Sequence, residues 1–194
     1  MGSEMCIRDR GLFGGGYSAL GQVSYEFGKN QVGLTYVRTF DPSGLVRSFA
    51  GTTLANSPFG GANSLTTDSV GAEASFHITD KIGVGGWVGY TFANQASGAD
   101  NDAQILNGAL NLAVLDVLKE GATAGLIAGV PPFVINSNGG AEDPDPPIHL
   151  EANYQFPVSS NITITPGIIY LINPNGDSVD GDQFVGVIRT TFTF

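Results

Sequence analysis

From residue 17 to the end of the chain, apolar and polar side chains alternate with a period of two, which predicts strands whose two faces differ in character. Nine runs show the pattern, at 17–27, 31–41, 67–78, 82–94, 104–117, 122–134, 148–158, 162–173 and 183–194. Each is about 10–14 residues long, near the length a tilted strand needs to cross a bilayer. The clearest is 148–156: Ile148, Leu150, Ala152, Tyr154 and Phe156 share one face, and His149, Glu151, Asn153 and Gln155 the other. In 67–78 the split sets Val70, Ala72, Ala74, Phe76 and Ile78 against Ser69, Gly71, Glu73, Ser75 and His77. The first run sets Val23, Tyr25 and Phe27 against Gln22, Ser24 and Glu26; the last sets Phe184, Ile188, Phe192 and Phe194 against Val185, Val187, Arg189, Thr191 and Thr193. In 104–117, Leu106, Leu110, Leu112 and Val114 oppose Asn107, Ala109, Asn111 and Ala113, and Leu115 and Asp116 break the order. Polar faces on successive strands imply a wet lumen, whereas a β-sandwich encloses apolar faces.

The connections alternate between short and long. Gly28-Lys29-Asn30 is followed by 42–66, Thr79-Asp80-Lys81 by 95–103, Lys119-Glu120-Gly121 by 135–147, and Ser159-Ser160-Asn161 by 174–182. Short turns on one rim and long loops on the other predict an all-β, antiparallel transmembrane barrel with periplasmic turns and extracellular loops. Tyr25, Phe27, Phe76, Tyr154, Phe156, Phe192 and Phe194 fall near the short-turn ends, where an aromatic girdle is expected. A closing strand that stops on Phe192 and Phe194 resembles the C-terminal signal by which the barrel assembly machinery recognises its clients. Pro131-Pro132 is tolerable near the rim of a strand, and Pro166, more central, predicts a bulge or bend. The loop 42–66, with Phe49, Leu54 and Phe59, is either a constriction loop or a mobile outer loop.

Charge sorts along the same axis. Lys29, Lys81 and Lys119 all sit in short turns, whereas the long loops carry Asp100, Asp102, Glu142, Asp143, Asp145, Asp177, Asp180 and Asp182 against Arg47. Solvated loops favour carboxylates in any case, and the same charge concentrates cations at an outer mouth. With 13% of residues charged, 42% hydrophobic and no apolar run near the roughly 20 residues of a membrane helix, a helical membrane protein is excluded. A net charge of −10 excludes nucleic acid as a partner. Met1-Gly2-Ser3-Glu4-Met5-Cys6-Ile7-Arg8-Asp9-Arg10 shares no periodicity with the rest and is too charged for a signal peptide. Residues 1–10 read as adapter-derived, non-native sequence, 11–194 as the C-terminal part of a longer barrel domain.

No catalytic or metal-binding constellation emerges, and neither cofactor nor enzymatic activity is expected. Glu73 and His77 lie about 13 Å apart on one strand face, too far to share a metal. Gly11-Leu12-Phe13-Gly14-Gly15-Gly16 lacks the ending of a phosphate loop, and Asn175, Asp177, Asp180 and Asp182 lack the spacing of an EF-hand. Glu26, Glu73, His77, His149, Glu151, Asn153 and Arg189 are instead the expected lumen-lining residues.

The segments Gly14-Gly15-Gly16-Tyr17-Ser18-Ala19, Val32-Gly33-Leu34-Thr35-Tyr36-Val37-Arg38, Gly85-Gly86-Trp87-Val88-Gly89-Tyr90-Thr91, Glu142-Asp143-Pro144-Asp145, His149-Leu150-Glu151-Ala152, Ile164-Thr165-Pro166-Gly167 and Arg189-Thr190-Thr191-Phe192-Thr193-Phe194 together resemble cyanobacterial outer-membrane porins. These belong to the carbohydrate-selective, OprB-like superfamily and include the iron uptake porins. The resemblance implies a parent barrel of about sixteen strands and an N-terminal domain and coiled coil that bind a cell-wall polymer. It also implies outer-membrane lipid as surroundings and passive passage of small solutes and inorganic ions; an assembly of several copies is compatible with it. A structural membrane anchor and a soluble, ligand-binding β protein are the alternatives. With nine strands, the first and last would meet in parallel, so an open-edged sheet is expected.

Overall fold

The computed structural model describes residues 15–61 and 63–194; the reading of 1–10 and most of the glycine-rich segment 11–16 lie outside them. Nine strands form a single antiparallel meander in chain order: β1 (Tyr17–Phe27), β2 (Asn30–Asp41), β3 (Leu65–His77), β4 (Ile82–Gln95), β5 (Asp102–Leu115), β6 (Thr123–Ser137), β7 (Ile148–Ser159), β8 (Ile162–Ile172) and β9 (Gln183–Phe192). Among the described residues the sheet is unclosed: β1 pairs only with β2 and β9 only with β8. A single helical turn, α1 (Thr53–Asn56), lies in the loop between β2 and β3.

The period of two survives in the register. Leu34 pairs with Ala72, Ala72 with Val88, Val88 with Gly108 and Gly108 with Val130, all on one face. On the other, Thr35 pairs with Gly71, Gly71 with Gly89 and Gly89 with Asn107. The first is the outer face, still exposed at Leu34, Val88, Leu110, Leu126 and Ile188. At the short-turn end Tyr25 stacks on Phe27 and Tyr154 on Phe156, with ring centroids 5.8 and 6.0 Å apart, as a girdle requires. A second outer-face girdle sits at the loop end, where Tyr17 packs on Phe40 at 5.8 Å and Tyr90 on Phe92 at 4.8 Å. There the tyrosine hydroxyls donate outward-facing hydrogen bonds, Tyr36 to Asp68 and Tyr90 to Gln104, both at 2.5 Å. Arg38 adds two bonds to Asp68, of 2.7 and 2.9 Å. Polar heads on apolar rings are what a membrane interface stabilises.

The short-turn rim is laced by its lysines. Lys29 reaches across to Asp80 in the second turn at 2.7 Å, Lys81 reaches Asp116 at 3.1 Å, and Lys119 donates to the carbonyl of Pro157. The Lys29 ammonium holds the Asp80 carboxyl below the usual carboxylate range; at Asp116 the Gly121 N–H does most of this, with Lys81 second.

Several expectations need correction. The run 104–117 stops at Leu115, because Asp116 (φ 57°) and Leu118 (φ 61°) take left-handed backbone that ends a strand. The sixth run continues beyond 134 to Ser137, since Pro131-Pro132 is absorbed in a bulge: Leu106 pairs with Phe133, but Gly108 with Val130. Pro166 makes no register shift. It stays paired with Ile188 of β9 and drops out of the ladder to β7, whose irregularity lies at Pro157/Ser159. A proline removes one donor without adding a residue, so pairing lapses and the register continues.

Candidate functional site: the inner wall and its inward loop

The inner face is unusual in how flat its polar groups lie. Glu73 of β3 rests on Gly33 of β2, Asn111 and Asn107 of β5 rest on Gly85 and Gly89 of β4, and Asn153 of β7 rests on Gly125 of β6. A Cβ at any of these glycines would come within 2.7–2.9 Å of the overlying carboxylate or amide. Glycine lets the neighbouring side chain lie in the space a Cβ would fill; a larger residue would push that side chain's polar end off the wall. The result is a wall paved with amide and carboxylate groups that takes little width from the space it encloses. Gly85→Val should tip Asn111 off the wall while leaving the ladder intact; the expected result is the parent's strand content by circular dichroism, and lost strand content would show that this glycine serves the ladder itself.

The register places all seven expected lumen residues on this face. Glu73 accepts from Gln22 Nε2 at 3.0 Å, and its cross-strand neighbour is the half-exposed Trp87. Glu151 accepts from Asn153 Nδ2 at 3.2 Å and lies 3.4 Å from His149 Nε2. These three form one cluster. Glu26 and Arg189 stand on strands at opposite edges, β1 and β9. His77, at the short-turn end, is tied through Nδ1 to the Lys29 carbonyl at 2.7 Å. Among the described residues no group of acidic, His or Cys side chains has metal-binding geometry. An apolar hollow of about 530 Å³ lies on the outer face among Leu110, Leu126, Leu150 and Ile168, where small neighbours such as Ala128 and Ala152 leave room for acyl chains, away from the polar wall.

Towards the long loops the inner face changes character, which the expectation of uniformly polar inner faces missed. Leu65, Ala93, Ala103, Ile105 and Val134 form a buried apolar cluster there, covered by Val46, Leu54, Ala55 and Phe59 of the β2–β3 loop. The loop leaves the sheet at β2, crosses the width of β3, β4 and β5, and reaches β6. Its root is an ion pair between Arg47 and Asp41, with Ser43 bonded to the same carboxylate. Asn56 shapes the middle by accepting from the Phe49 N–H at 3.0 Å and donating to the carbonyls of Ala50 and Thr52 at 2.7 and 3.0 Å. Thr52 caps α1 by accepting from the Ala55 N–H. Of the three large apolar side chains singled out in this loop, Leu54 and Phe59 pack on the wall and Phe49 is exposed.

The acidic outer loops are not one cluster. Glu142 caps the Ser137 N–H at 3.0 Å, Asp177 the Val179 N–H at 2.8 Å, and Asp145 accepts from the Ser178 N–H at 3.1 Å. Asp182 accepts from Tyr170 at 2.5 Å, and Asp102 from Asn138. Asp100 and Asp180 lie on the exposed surface of their loops. Asp143 differs: it is partly enclosed and bonded to Thr52 of the inward loop. Phe192 and Phe194 are exposed at the chain end, where Asn161 Nδ2 donates to the Thr193 carbonyl at 2.7 Å.

One lipid-type face with two aromatic girdles, a polar opposite face and a loop folded onto that face are the features of a transmembrane β-barrel wall. The family model for the carbohydrate-selective porins of the OprB family matches residues 5–194, and the chain belongs to that family. It is 34% identical over 195 residues to an uncharacterized protein of a Nostoc species, covering 96% of this chain and 33% of that protein. It is 35% identical over 205 residues to an uncharacterized protein of a Synechocystis species, covering 95% and 37%. The chain thus spans about a third of the length of the curated relatives it matches. No solved structure matches it.

Proposed function

We propose that the protein forms part of a passive outer-membrane porin of the cyanobacterial type, through which small solutes and inorganic ions, including iron and other cations, diffuse down their gradients. The observation that carries this reading is the inner wall. Of its carboxylates, Glu73 is held flat over Gly33 and bonded by Gln22, and Glu151 is bonded by Asn153, so negative charge lines the path without blocking it. The family description names carbohydrates, and the same wall of amides and carboxylates offers hydrogen bonds to hydroxylated solutes; the acidic groups are what add a bias towards cations. Glu26, His77, His149, Asn153 and Arg189 complete the lining in this reading, and the carboxylates of the outer loops draw cations to the mouth. Phe192 and Phe194 serve as the insertion signal.

Planar-bilayer conductance of the complete protein, with the reversal potential measured across a salt gradient, tests the proposal. Discrete steps with cation preference are expected. Glu73→Gln with Glu151→Gln should move the reversal potential towards zero; an unchanged value would show that these side chains do not line the conducting path. Folded protein that gives no steps would favour a structural barrel that anchors the cell wall through an N-terminal domain.

A further inference from the structure

The tip of the inward loop is fastened at one point, and four segments meet there. Thr52 donates its backbone N–H to the carbonyl of Pro132 at 2.9 Å. That carbonyl is available because the Pro131-Pro132 bulge takes it out of the ladder to β5. Gly51 approaches the same carbonyl so closely, with φ +79°, that no side chain would fit. The Thr52 hydroxyl donates to Asp143 Oδ2 at 2.8 Å, and the Val134 N–H donates to the same oxygen at 2.6 Å. From the far side, Gly176 of the β8–β9 loop closes over the carboxylate: a Cβ there would lie 2.5 Å from Asp143 Oδ1. Asn175 of that loop accepts from the Thr53 N–H at 2.7 Å. Among the described residues Asp143 is thus the carboxylate of the outer loops that links the inward loop to the barrel wall and to another loop.

Among the described residues no charged group is bonded to it. β6 carries no titratable side chain. On its own loop Glu142 and Asp145 are turned to the Ser137 and Ser178 N–H groups. On the β8–β9 loop Asp177 is turned to Val179, Asp182 to Tyr170, and Asp180 is exposed. On the inward loop Arg47 is engaged by Asp41.

We propose that Asp143 is a proton-tightened clasp, which fixes the tip of the inward loop to the β6 bulge in acid and loosens it as the pH rises. Burial pushes the Asp143 carboxyl above the usual carboxylate range, against the opposing pull of the Val134 N–H and the Thr52 hydroxyl. The clasped state therefore binds the proton more tightly than a released, solvated carboxyl does. Each proton taken up favours clasping, and each one lost on raising the pH favours release. The Arg47–Asp41 pair holds the root, so release leaves a tethered flap rather than an unfolded segment. The clasp rests on the porin reading only in placing that flap inside a lumen.

The test uses the complete protein, with any native cysteine replaced by serine and a spin label at Phe49→Cys, an exposed site off the clasp, titrated from about pH 4 to about pH 9. The mobile fraction of the label is expected to rise severalfold with pH, by no more than about tenfold per unit, the limit for one proton. Asp143→Asn cannot ionise and should hold the label immobile throughout. Thr52→Ser keeps the hydroxyl and should match the parent. Thr52→Val removes a bond that holds the ionised form in the clasp and should raise the mobile fraction at high pH above the parent's. A label whose mobility does not change with pH, or an Asp143→Asn variant with the parent's profile, would overturn the clasp. Conductance is recorded in parallel: folded, labelled protein that never conducts refutes the porin reading while leaving the label's answer on the clasp intact.

Discussion

Leu110→Arg is expected to destabilise the membrane-inserted protein by about 2–4 kcal/mol, the cost of a lipid-facing arginine near the bilayer midplane, while Asn111→Arg, one residue along, costs far less. Leu110 points outward from the middle of β5 and is exposed, paired with Gly86 and Ala128 on the same face. Asn111 points inward over Gly85, on the face that also carries Asn107, Glu73 and Asn153. An arginine at 110 must be stripped of water or must drag water and headgroups towards it; at 111 it extends into a hydrated lumen. Reversible urea unfolding into lipid vesicles measures both. Equal losses at the two positions would mean that the faces have been assigned the wrong way round, or that neither meets lipid.

Replacing residues 44–62 by a short polar turn is expected to raise the single-channel conductance severalfold and to weaken discrimination between small and larger solutes. The segment crosses three strands on the inner face and fills volume between wall and axis, so its removal widens the path where the long loops converge. It also strips the cover from Leu65, Ile105 and Val134, each 2% exposed or less. The barrel strands keep their ladders, so the fold should survive. Conductance that does not change would place the conducting path elsewhere than beneath this loop.

Much of the architecture was legible in the residues themselves. The nine strands fall close to where the alternation puts them, because strand side chains obey a strict period and a membrane demands contrasting faces at each step. The break in alternation at Leu115 and Asp116 marked the end of β5, but the left-handed backbone at Asp116 and Leu118 was not legible, since at non-glycine residues it is chosen by the turn's hydrogen bonds rather than by composition. Pro131-Pro132, read as tolerable near the rim of the run 122–134, are carried by a bulge that lets the strand continue to Ser137. The loop-end girdle was missed because Tyr36, Tyr90 and Tyr170 acquire their meaning from partners 12 to 32 residues away.

The candidate site divides along the same line. Which side chains share the inner face was fixed locally, since face membership needs only the parity of a residue within its strand. How those side chains lie was not: Glu73 is flattened because Gly33 happens to stand beside it in a neighbouring strand, and the same holds for Asn111 with Gly85 and Asn153 with Gly125. The inward path of the loop was also a tertiary decision, because Leu54, Ala55 and Phe59 bury apolar surface only where Leu65, Ala93, Ile105 and Val134 are brought together from four strands. The sequence alone therefore determined the strands, their two faces and the sorting of charge between rims, all of which depend on neighbours along the chain. Only the folded sheet decided the paving of the wall and the fastening of the loop at Asp143, which depend on neighbours across it.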